Sequence, residues 1–251
     1  MIAIITSKQD LAGVNIAKEL EKENLEQYNA KHYIIEEKSV YAEDIDKKID
    51  AELFIFATKH ASKSRIPSLS VHSPGNWGKA GLGGKDSELL ICPAAYLKEA
   101  LIFLEKNNTI DFDIVQECTH HGPYLEKPCF FIEIGSTEEQ WKNKEAAEII
   151  VRAILHLLKN KPKQYISAVG LGGLHTTPNF KKIILNSNIA IGHVCPTYNL
   201  DNLNKSNLTQ ALENTVPESS LIILDWKGLK QYKEKVKELT ANYEVKRTSD
   251  F

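Results

Sequence analysis

The sequence lacks the features that mark several specialised classes of protein. Its four cysteines form no CxxC pair, which excludes a miniprotein held together by disulfides. No apolar run approaches the roughly 20 residues needed to cross a bilayer, and the N-terminus has no signal-peptide pattern. Its 31 basic and 33 acidic residues nearly cancel, whereas a dedicated DNA-binding protein would be strongly basic. We therefore expect a cytoplasmic protein with reduced thiols that binds neither DNA nor a membrane.

The composition is that of an ordinary globular protein, with 42% apolar and 25% charged residues. Short apolar segments predict strands at residues 1–6, 32–36, 53–57, 69–72, 114–118, 129–134, 165–169, 189–194 and 221–224. Helical spacing predicts helices at residues 8–23, 94–106 and 229–243, and another between the capping box Ser136-Thr-Glu-Glu139 and Pro162. This alternation predicts an α/β fold. We expect a mixed or largely parallel sheet flanked by helices, with residues 1–251 forming a single domain.

The histidines are not scattered along these elements. Six of the eight lie at or just beyond the carboxyl end of a predicted strand: His60, His72, His120, His121, His175 and His193. In open α/β sheets, ligands bind in the crevice at the carboxyl ends of the strands. We therefore expect an active site at that edge, which makes the domain a catalytic one.

The densest candidate segment is Glu117-Cys-Thr-His-His-Gly-Pro123. Two adjacent side chains on an extended backbone point to opposite sides. We therefore expect one imidazole to serve the chemistry and the other to orient it or to pack, with His120 inward and His121 nearer the mouth. Neutral imidazole acts as a general base near pH 7 or binds zinc, and the spacing leaves both roles open. The candidate catalytic residues are His120, His121 and Glu117.

Two glycine-rich segments flank this one. Residues 75–84 contain five glycines, but Asp86 follows Lys85 where a P-loop requires Ser or Thr. In residues 170–175, His175 stands in the place of the third glycine of GxGxxG, so the dinucleotide fingerprint fails. Backbone of this kind can approach a ligand closely and donate N–H groups to it. The expected substrate-binding residues are Gly75, Asn76, Gly83, Gly84, Gly172 and Gly173.

The last part of the chain is locally basic. Residues 227–247 contain seven basic and three acidic side chains. A solvated helix face explains such a segment, and so does contact with an RNA backbone. The sequence leaves both interpretations open.

Five motifs occur in an order that resembles the archaeal and plant type of D-aminoacyl-tRNA deacylase. They are His72-Ser-Pro-Gly-Asn-Trp-Gly78 with Gly83-Gly84, Thr119-His-His-Gly-Pro123, Glu133-Ile-Gly-Ser-Thr-Glu-Glu-Gln-Trp141, Gly170-Leu-Gly-Gly-Leu-His175 with Pro178, and Gly192-His193. The likeness spans nearly the whole chain. The family pattern Gly-Gly-Gly-His-Tyr is replaced here by Gly172-Gly173-Leu174-His175-Thr176, so this chain lacks the tyrosine at that position.

The resemblance implies a hydrolase that cleaves the ester joining a D-amino acid to the 3′ end of tRNA, in translation quality control. It also implies zinc as cofactor and a fold related to phosphorylase and peptidyl-tRNA hydrolase. We expect a monomer whose metal ligands include His72, His175 and His193, with His120 and His121 as further candidates and Glu117 or Glu133 as a carboxylate partner.

Two other functions remain as alternatives from the residues alone. The glycine loops would also suit a phosphorylase-like or peptidase-like hydrolase of a small metabolite. The basic segment would also suit a non-catalytic tRNA-binding module.

Overall fold

Strands and helices alternate along the structure, a computed structural model that describes residues 1–251. The strands are β1 (Ile2–Ser7), β2 (Ala30–Ile35), β3 (Leu53–Ala61), β4 (Ser68–His72), β5 (Cys92–Pro93), β6 (Asp113–Gln116), β7 (Cys129–Ser136), β8 (Ile166–Leu171), β9 (Ile189–Cys195), β10 (Thr215–Val216), β11 (Leu221–Leu224) and β12 (Glu244–Arg247). The helices are α1 (Leu11–Leu20), α2 (Ala94–Asn107), α3 (Glu138–Trp141), α4 (Lys144–Lys159), α5 (Pro178–Asn186), α6 (Lys205–Glu213) and α7 (Lys233–Thr240).

The strands form two main sheets. The larger has six strands in the order β2-β1-β3-β7-β4-β6, in which β4 runs antiparallel to β7 and the other neighbours are parallel. The smaller has four parallel strands in the order β12-β11-β8-β9. A short parallel pair, β10-β5, lies apart from both. The expected α/β fold with a mixed, largely parallel sheet is confirmed.

The two faces of the six-stranded sheet are covered differently. Successive side chains of a strand point to opposite faces. Ile55 of β3 therefore faces α1, α2 and α4 in a core cluster of 39 buried residues, which also includes Ile191 of the four-stranded sheet. Phe56 points the other way and joins Phe131 in a cluster of 11 residues, whose other members come largely from loops. The loop-covered face is where a site can open to solvent.

The segment after β7 differs from the expected single helix. β7 continues through Ser136, whose hydroxyl donates to the Ile66 carbonyl, so this residue is not a cap. The capping box is formed by Thr137 and Gln140. A new helix then begins after Asn143, whose side chain accepts from the backbone N–H of Ala146 at 3.0 Å.

Three elements were absent from the sequence-based prediction. Pro178 at the first position of α5 and the Asn204 cap of α6 are recognised start signals. β12 has four exposed residues, so no apolar pattern marks it. The predicted last helix, at residues 229–243, is shortened to α7, with a 3₁₀ turn before it and β12 after it.

Two other observations concern the exclusions drawn from the sequence. All four cysteines are buried and free, as expected. None of the helices combines the length and the apolar character required to cross a membrane.

Candidate active site

Five histidines and two glutamates meet on the loop-covered face of the six-stranded sheet. They are His60, His72, His120, His121, His175, Glu117 and Glu133. The His120 ring lies at the centre, with its centroid 4.2 Å from that of His72, 4.3 Å from that of His121 and 4.6 Å from that of His175. The structure thus brings together five of the six histidines that the sequence singled out.

The cluster does not lie along one carboxyl edge, as the sequence analysis expected. His60 and Glu133 lie within β3 and β7, where strand alternation places them on the same face as Thr58. His72 ends β4, which runs antiparallel to β7 and pairs His72 with Phe131. Because β4 is reversed, no common carboxyl edge exists in this sheet. The loops after β6 and β8 bring in Glu117 and His175 from outside it.

The adjacent pair His120 and His121 does not divide between two sides. His121 has a φ of 44°, in the left-handed region, and this turns both rings into the same cluster. The prediction of opposite sides assumed an extended backbone and is wrong for that reason. Gly75 supports the turn by donating its N–H to the His121 carbonyl at 2.7 Å.

One half of the cluster is the ring triad His72, His120 and His121. In each ring Nδ1 lies within hydrogen-bond distance of a backbone carbonyl oxygen, at 3.2 Å from Ser73, 2.9 Å from Cys118 and 2.6 Å from Gly122 respectively. Such a contact places the proton on Nδ1 and leaves Nε2 with a free lone pair. Nε2 of His72 is buried and has no hydrogen-bond partner. One ligand atom from each ring lies within 4.8 Å of the other two.

The rings of this triad are held neutral. Burial and the neighbouring His72 lower the pKa of His121 to about 4. Burial, with His72 and His121 nearby, holds the pKa of His120 well below its usual value. Neutral imidazoles that converge on one point suit a zinc ion, which prefers nitrogen and sulfur ligands. The donor set therefore fits the expected metal.

The other half is organised by Glu117. Its Oε2 lies 2.7 Å from Nε2 of His175 and 3.0 Å from Nδ1 of His60. On the far side of its ring, Nδ1 of His175 lies 3.0 Å from the Tyr198 hydroxyl and 3.3 Å from Cys118 Sγ. Oε1 of Glu117 is buried and unpaired. These contacts make His60, Glu117 and His175 a second group with the spacing of metal ligands.

The electrostatics of this half are the reverse of those of the triad. Burial opposes protonation of His175, but hydrogen bonds to Cys118 and Glu117 raise its pKa to about 10. Burial likewise opposes protonation of His60, and Glu117 outweighs it to raise that pKa. Burial disfavours the charge on Glu117 too, yet the two histidines hold its pKa well below the usual range. The group is therefore an ion pair with one carboxylate and two imidazolium rings.

Glu133 lies between the two halves. Its Oε1 accepts a hydrogen bond from the Thr58 hydroxyl at 2.6 Å. Its Oε2 lies 3.7 Å from Nε2 of His72 and 3.8 Å from Nδ1 of His60. One oxygen of this carboxylate is thus fixed while the other faces the cluster.

His193 is the predicted ligand that the structure does not bring to the cluster. It is fully buried, with Nδ1 3.1 Å from the Thr119 hydroxyl and Nε2 2.8 Å from the Leu90 carbonyl. Burial lowers its pKa to about 4. Both ring nitrogens are engaged by protein atoms, so His193 has none left for a metal.

The first glycine-rich loop packs against protein. A Cβ on Gly83 would overlap the Val40 carbonyl oxygen, and the N–H of Gly84 donates to Glu43 Oε1 at 2.6 Å. The Asn76 side chain donates to the Gly83 carbonyl at 3.0 Å. These groups stabilise the loop beneath the histidine pair, and their predicted contact with substrate stays a prediction.

The second glycine loop is similar. Gly172 and Gly173 have φ values of 94° and 85°, which favour glycine. A Cβ on either would come within 3.0 Å of an Asp225 oxygen. Gly172 donates its N–H to the Cys195 carbonyl at 2.8 Å. The close packing aims the following loop, which carries His175, at Glu117.

Two cavities open onto the cluster from different sides. One of about 350 Å³ is lined by Glu133, His120 and His121, together with Leu82 and other residues. The other, of about 540 Å³, is lined by Glu117 and by a row of serines that includes Ser70. His60 and His175 line both. A substrate can therefore reach the cluster from either side of these two rings.

Three contributors to the site had no role in the sequence analysis beyond their place in it: His60, Cys118 and Tyr198. His60 was among the histidines near strand ends, so its position was the available signal. Tyr198 lies in a loop after β9 and reaches His175 only through the tertiary fold. No local pattern could have found it.

Comparisons with known proteins agree on one family. Residues 47–248 match the family described as D-aminoacyl-tRNA deacylase. Proteins named D-aminoacyl-tRNA deacylase are similar to this chain in Thermococcus kodakarensis, at 36% identity over 92% of both chains, and in Pyrococcus furiosus, at 37% over 91% of this chain and 92% of that one. The crystal structure of the "Conserved Protein of Unknown Function AF0625" superposes with a TM-score of 0.89 at 30% identity, covering 100% of this chain and 96% of that one.

Proposed function

The chain belongs to the D-aminoacyl-tRNA deacylase family and hydrolyses D-aminoacyl-tRNA, and we propose that the histidine cluster is where it cleaves the ester. The observation that carries the proposal is the convergence of five histidines and two glutamates beside a cavity of about 350 Å³. Family membership favours ester hydrolysis over the phosphorylase-like alternative and over a non-catalytic tRNA-binding module. Because the cluster takes side chains from both sheets, we also propose that residues 1–251 act as one catalytic domain.

Zinc would be held by His72, His120 and His121. The unpaired Nε2 of His72 and the proton positions on all three rings support this assignment. When bound, zinc supplies a Lewis acid that polarises a carbonyl and makes water more acidic. With a pKa of about 4, His121 is a weak base near pH 7. We therefore assign the pair as ligands in preference to general bases.

The remaining residues provide proton transfer and charge. The free oxygen of Glu133 accepts the proton of the attacking water, while Thr58 holds the other oxygen in place. His175 and His60 carry positive charge beside the same cavity, where they stabilise the oxyanion that forms on the ester carbonyl. One of these imidazolium rings donates a proton to the departing 3′ oxygen of the tRNA. His175 is thus assigned a role other than the zinc ligation expected from the resemblance.

The test is hydrolysis of D-Tyr-tRNA and L-Tyr-tRNA by the wild type and by Glu133→Gln. We expect the wild type to release D-tyrosine alone. The variant should lose roughly 100- to 10,000-fold in rate, because the proton acceptor is gone. Glu126→Gln, which alters an exposed carboxylate near Lys47, is the matched control and should keep the wild-type rate.

Three outcomes would reject the proposal. Equal rates on the two isomers, or no hydrolysis of either, would remove the activity. A Glu133→Gln variant at the wild-type rate would move the proton acceptor elsewhere. Fully active protein without metal by elemental analysis would leave the ring triad with no catalytic ion to bind.

A further inference from the structure

A second cavity lies at the same sheet edge as His175. The four-stranded sheet is fully parallel, so the segments after its strands all emerge at one edge. His175 follows β8, while residues 225–227 follow β11 and residues 248–251 follow β12. Strands β8, β11 and β12 are consecutive neighbours spaced by about 4.8 Å. The end of β12 is therefore about 10 Å along this edge from the strand that carries His175.

The cavity between these segments has a volume of about 590 Å³ and a cationic lining. Lys182 of α5, Lys227 and Arg247 contribute to it. None of these three cations has a carboxylate oxygen within salt-bridge distance, unlike Lys181 next to them, which pairs with Glu105 at 2.8 Å. Three unneutralised cations in one concave surface attract an anion.

The acidic residue of this lining is already engaged. Asp225 is 7% exposed, and its carboxylate accepts hydrogen bonds from Asn179 at 2.9 Å and from the N–H of Gly228 at 3.1 Å. It also packs against Gly173, two residues before His175. Asp225 therefore joins the cavity to the active-site loop without neutralising its cations.

The cavity also has a planar surface. The guanidinium of Arg247 stacks on the Trp226 ring at 4.1 Å from its centroid, and the Phe251 ring, 51% exposed, lies in the same lining. Unpaired bases of single-stranded RNA stack on aromatic rings and on arginine planes, while cations beside them contact the phosphates. A free small anion would use the cations but would have no need of the rings.

We propose that this Trp226 cavity binds the single-stranded 3′ end of the tRNA, with at least one base stacked at Trp226 and Arg247 and a phosphate at Lys182 and Lys227. The inference rests on the proposed function, because it needs an aminoacyl-tRNA whose ester lies at the histidine cluster. Its position about 10 Å along the edge from β8 suits nucleotides that precede the ester. It assigns the basic segment at residues 227–247 to RNA contact as well as to a solvated face.

The test compares two substrates with the same ester. One is D-Tyr-tRNA, and the other is 3′-O-(D-tyrosyl)adenosine, which lacks the preceding nucleotides. In the double variant Lys227→Ala/Arg247→Ala, KM for D-Tyr-tRNA should rise at unchanged kcat. The slope of log(1/KM) against log[salt] should become shallower by about 1.4, at about 0.7 for each lost phosphate contact. kcat/KM for the adenosine ester should stay at the wild-type value.

Two further variants complete the test. Trp226→Ala should raise KM for D-Tyr-tRNA by about 5- to 150-fold through lost stacking, with circular dichroism to check folding. Lys18→Ala, an exposed cation on α1, is the matched control and should change nothing. An unchanged KM and salt slope in the double variant would overturn the inference while the wild type still hydrolysed both esters. A wild type inactive on both would instead reject the proposed function itself.

Discussion

The two halves of the histidine cluster contain the same type of side chain in opposite charge states. In the ring triad, each Nδ1 faces a backbone carbonyl, and burial keeps His120 and His121 neutral. In the ion pair, Glu117 lies 2.7 Å from His175 and outweighs the same burial. Burial disfavours charge at both places. The comparison therefore teaches that the group opposite the ring, a carbonyl or a carboxylate, decides whether a buried histidine here binds a metal or carries a proton.

The largest effect should come from the triad. We expect His120→Ala and His121→Ala to lose activity by comparable factors, roughly 100- to 10,000-fold, and to lose zinc together with it. Single-turnover deacylation of D-Tyr-tRNA and elemental analysis measure the two effects. His156→Ala, which changes a histidine on α4 near Phe103, is the control and should remain active. A large loss in one variant of the pair and none in the other would contradict a shared role.

The charged half should give a smaller effect on rate and a specific effect on titration. Glu117→Gln removes the carboxylate that orients both rings, for which we expect a loss of roughly 10- to 100-fold. The pKa of His175 should fall from about 10, because burial is then opposed by Cys118 without Glu117. NMR titration of the ring between pH 5 and pH 10 follows this change. An unaltered His175 titration in the variant would show that Glu117 does not hold the charge.

The smallest effect should come from the histidine outside the cluster. The folded-state pKa of His193, about 4, lies below its ordinary value of 6.5. The stability it contributes is therefore present above pH 6.5 and is lost as the pH falls toward 4. Over that window the free energy of unfolding should fall with a slope of up to about 1.4 kcal/mol per pH unit from this residue.

The matched variant for this prediction is His193→Gln. It should be less stable at pH 7 and should show a shallower fall in unfolding free energy between pH 6.5 and pH 4, measured by denaturant titration. Its zinc content should equal that of the wild type. A variant that lost zinc while remaining folded would return His193 to the ligands.

The grouping of the histidines could be predicted from the sequence, because the ends of neighbouring strands lie close together whatever the details of the loops. The side to which each ring points could not. His121 has a left-handed backbone, which no residue type at that position announces. His193 lies in β9, buried along its whole length, so the usual alternation of apolar and polar residues gives no sign of which face is which.

The same reasoning explains the fold. The buried strands were found from their apolar runs, whereas β12 escaped because all its residues are exposed. Five glycines between residues 75 and 84 predicted close backbone approach. The partner of that approach turned out to be Val40 and Glu43, which are more than 30 positions away in the sequence and carry no motif.

The position of Glu117 between two sheets has a consequence beyond catalysis. It follows β6 of the six-stranded sheet and holds His60 of β3, while its other partner, His175, belongs to the loop after β8 of the four-stranded sheet. The ion pair is thus a noncovalent cross-link between the sheets. Any small slippage of one sheet on the other separates its charges while each sheet keeps its own hydrogen bonds. Catalytic competence and the docking of the two sheets are consequently one property of this molecule.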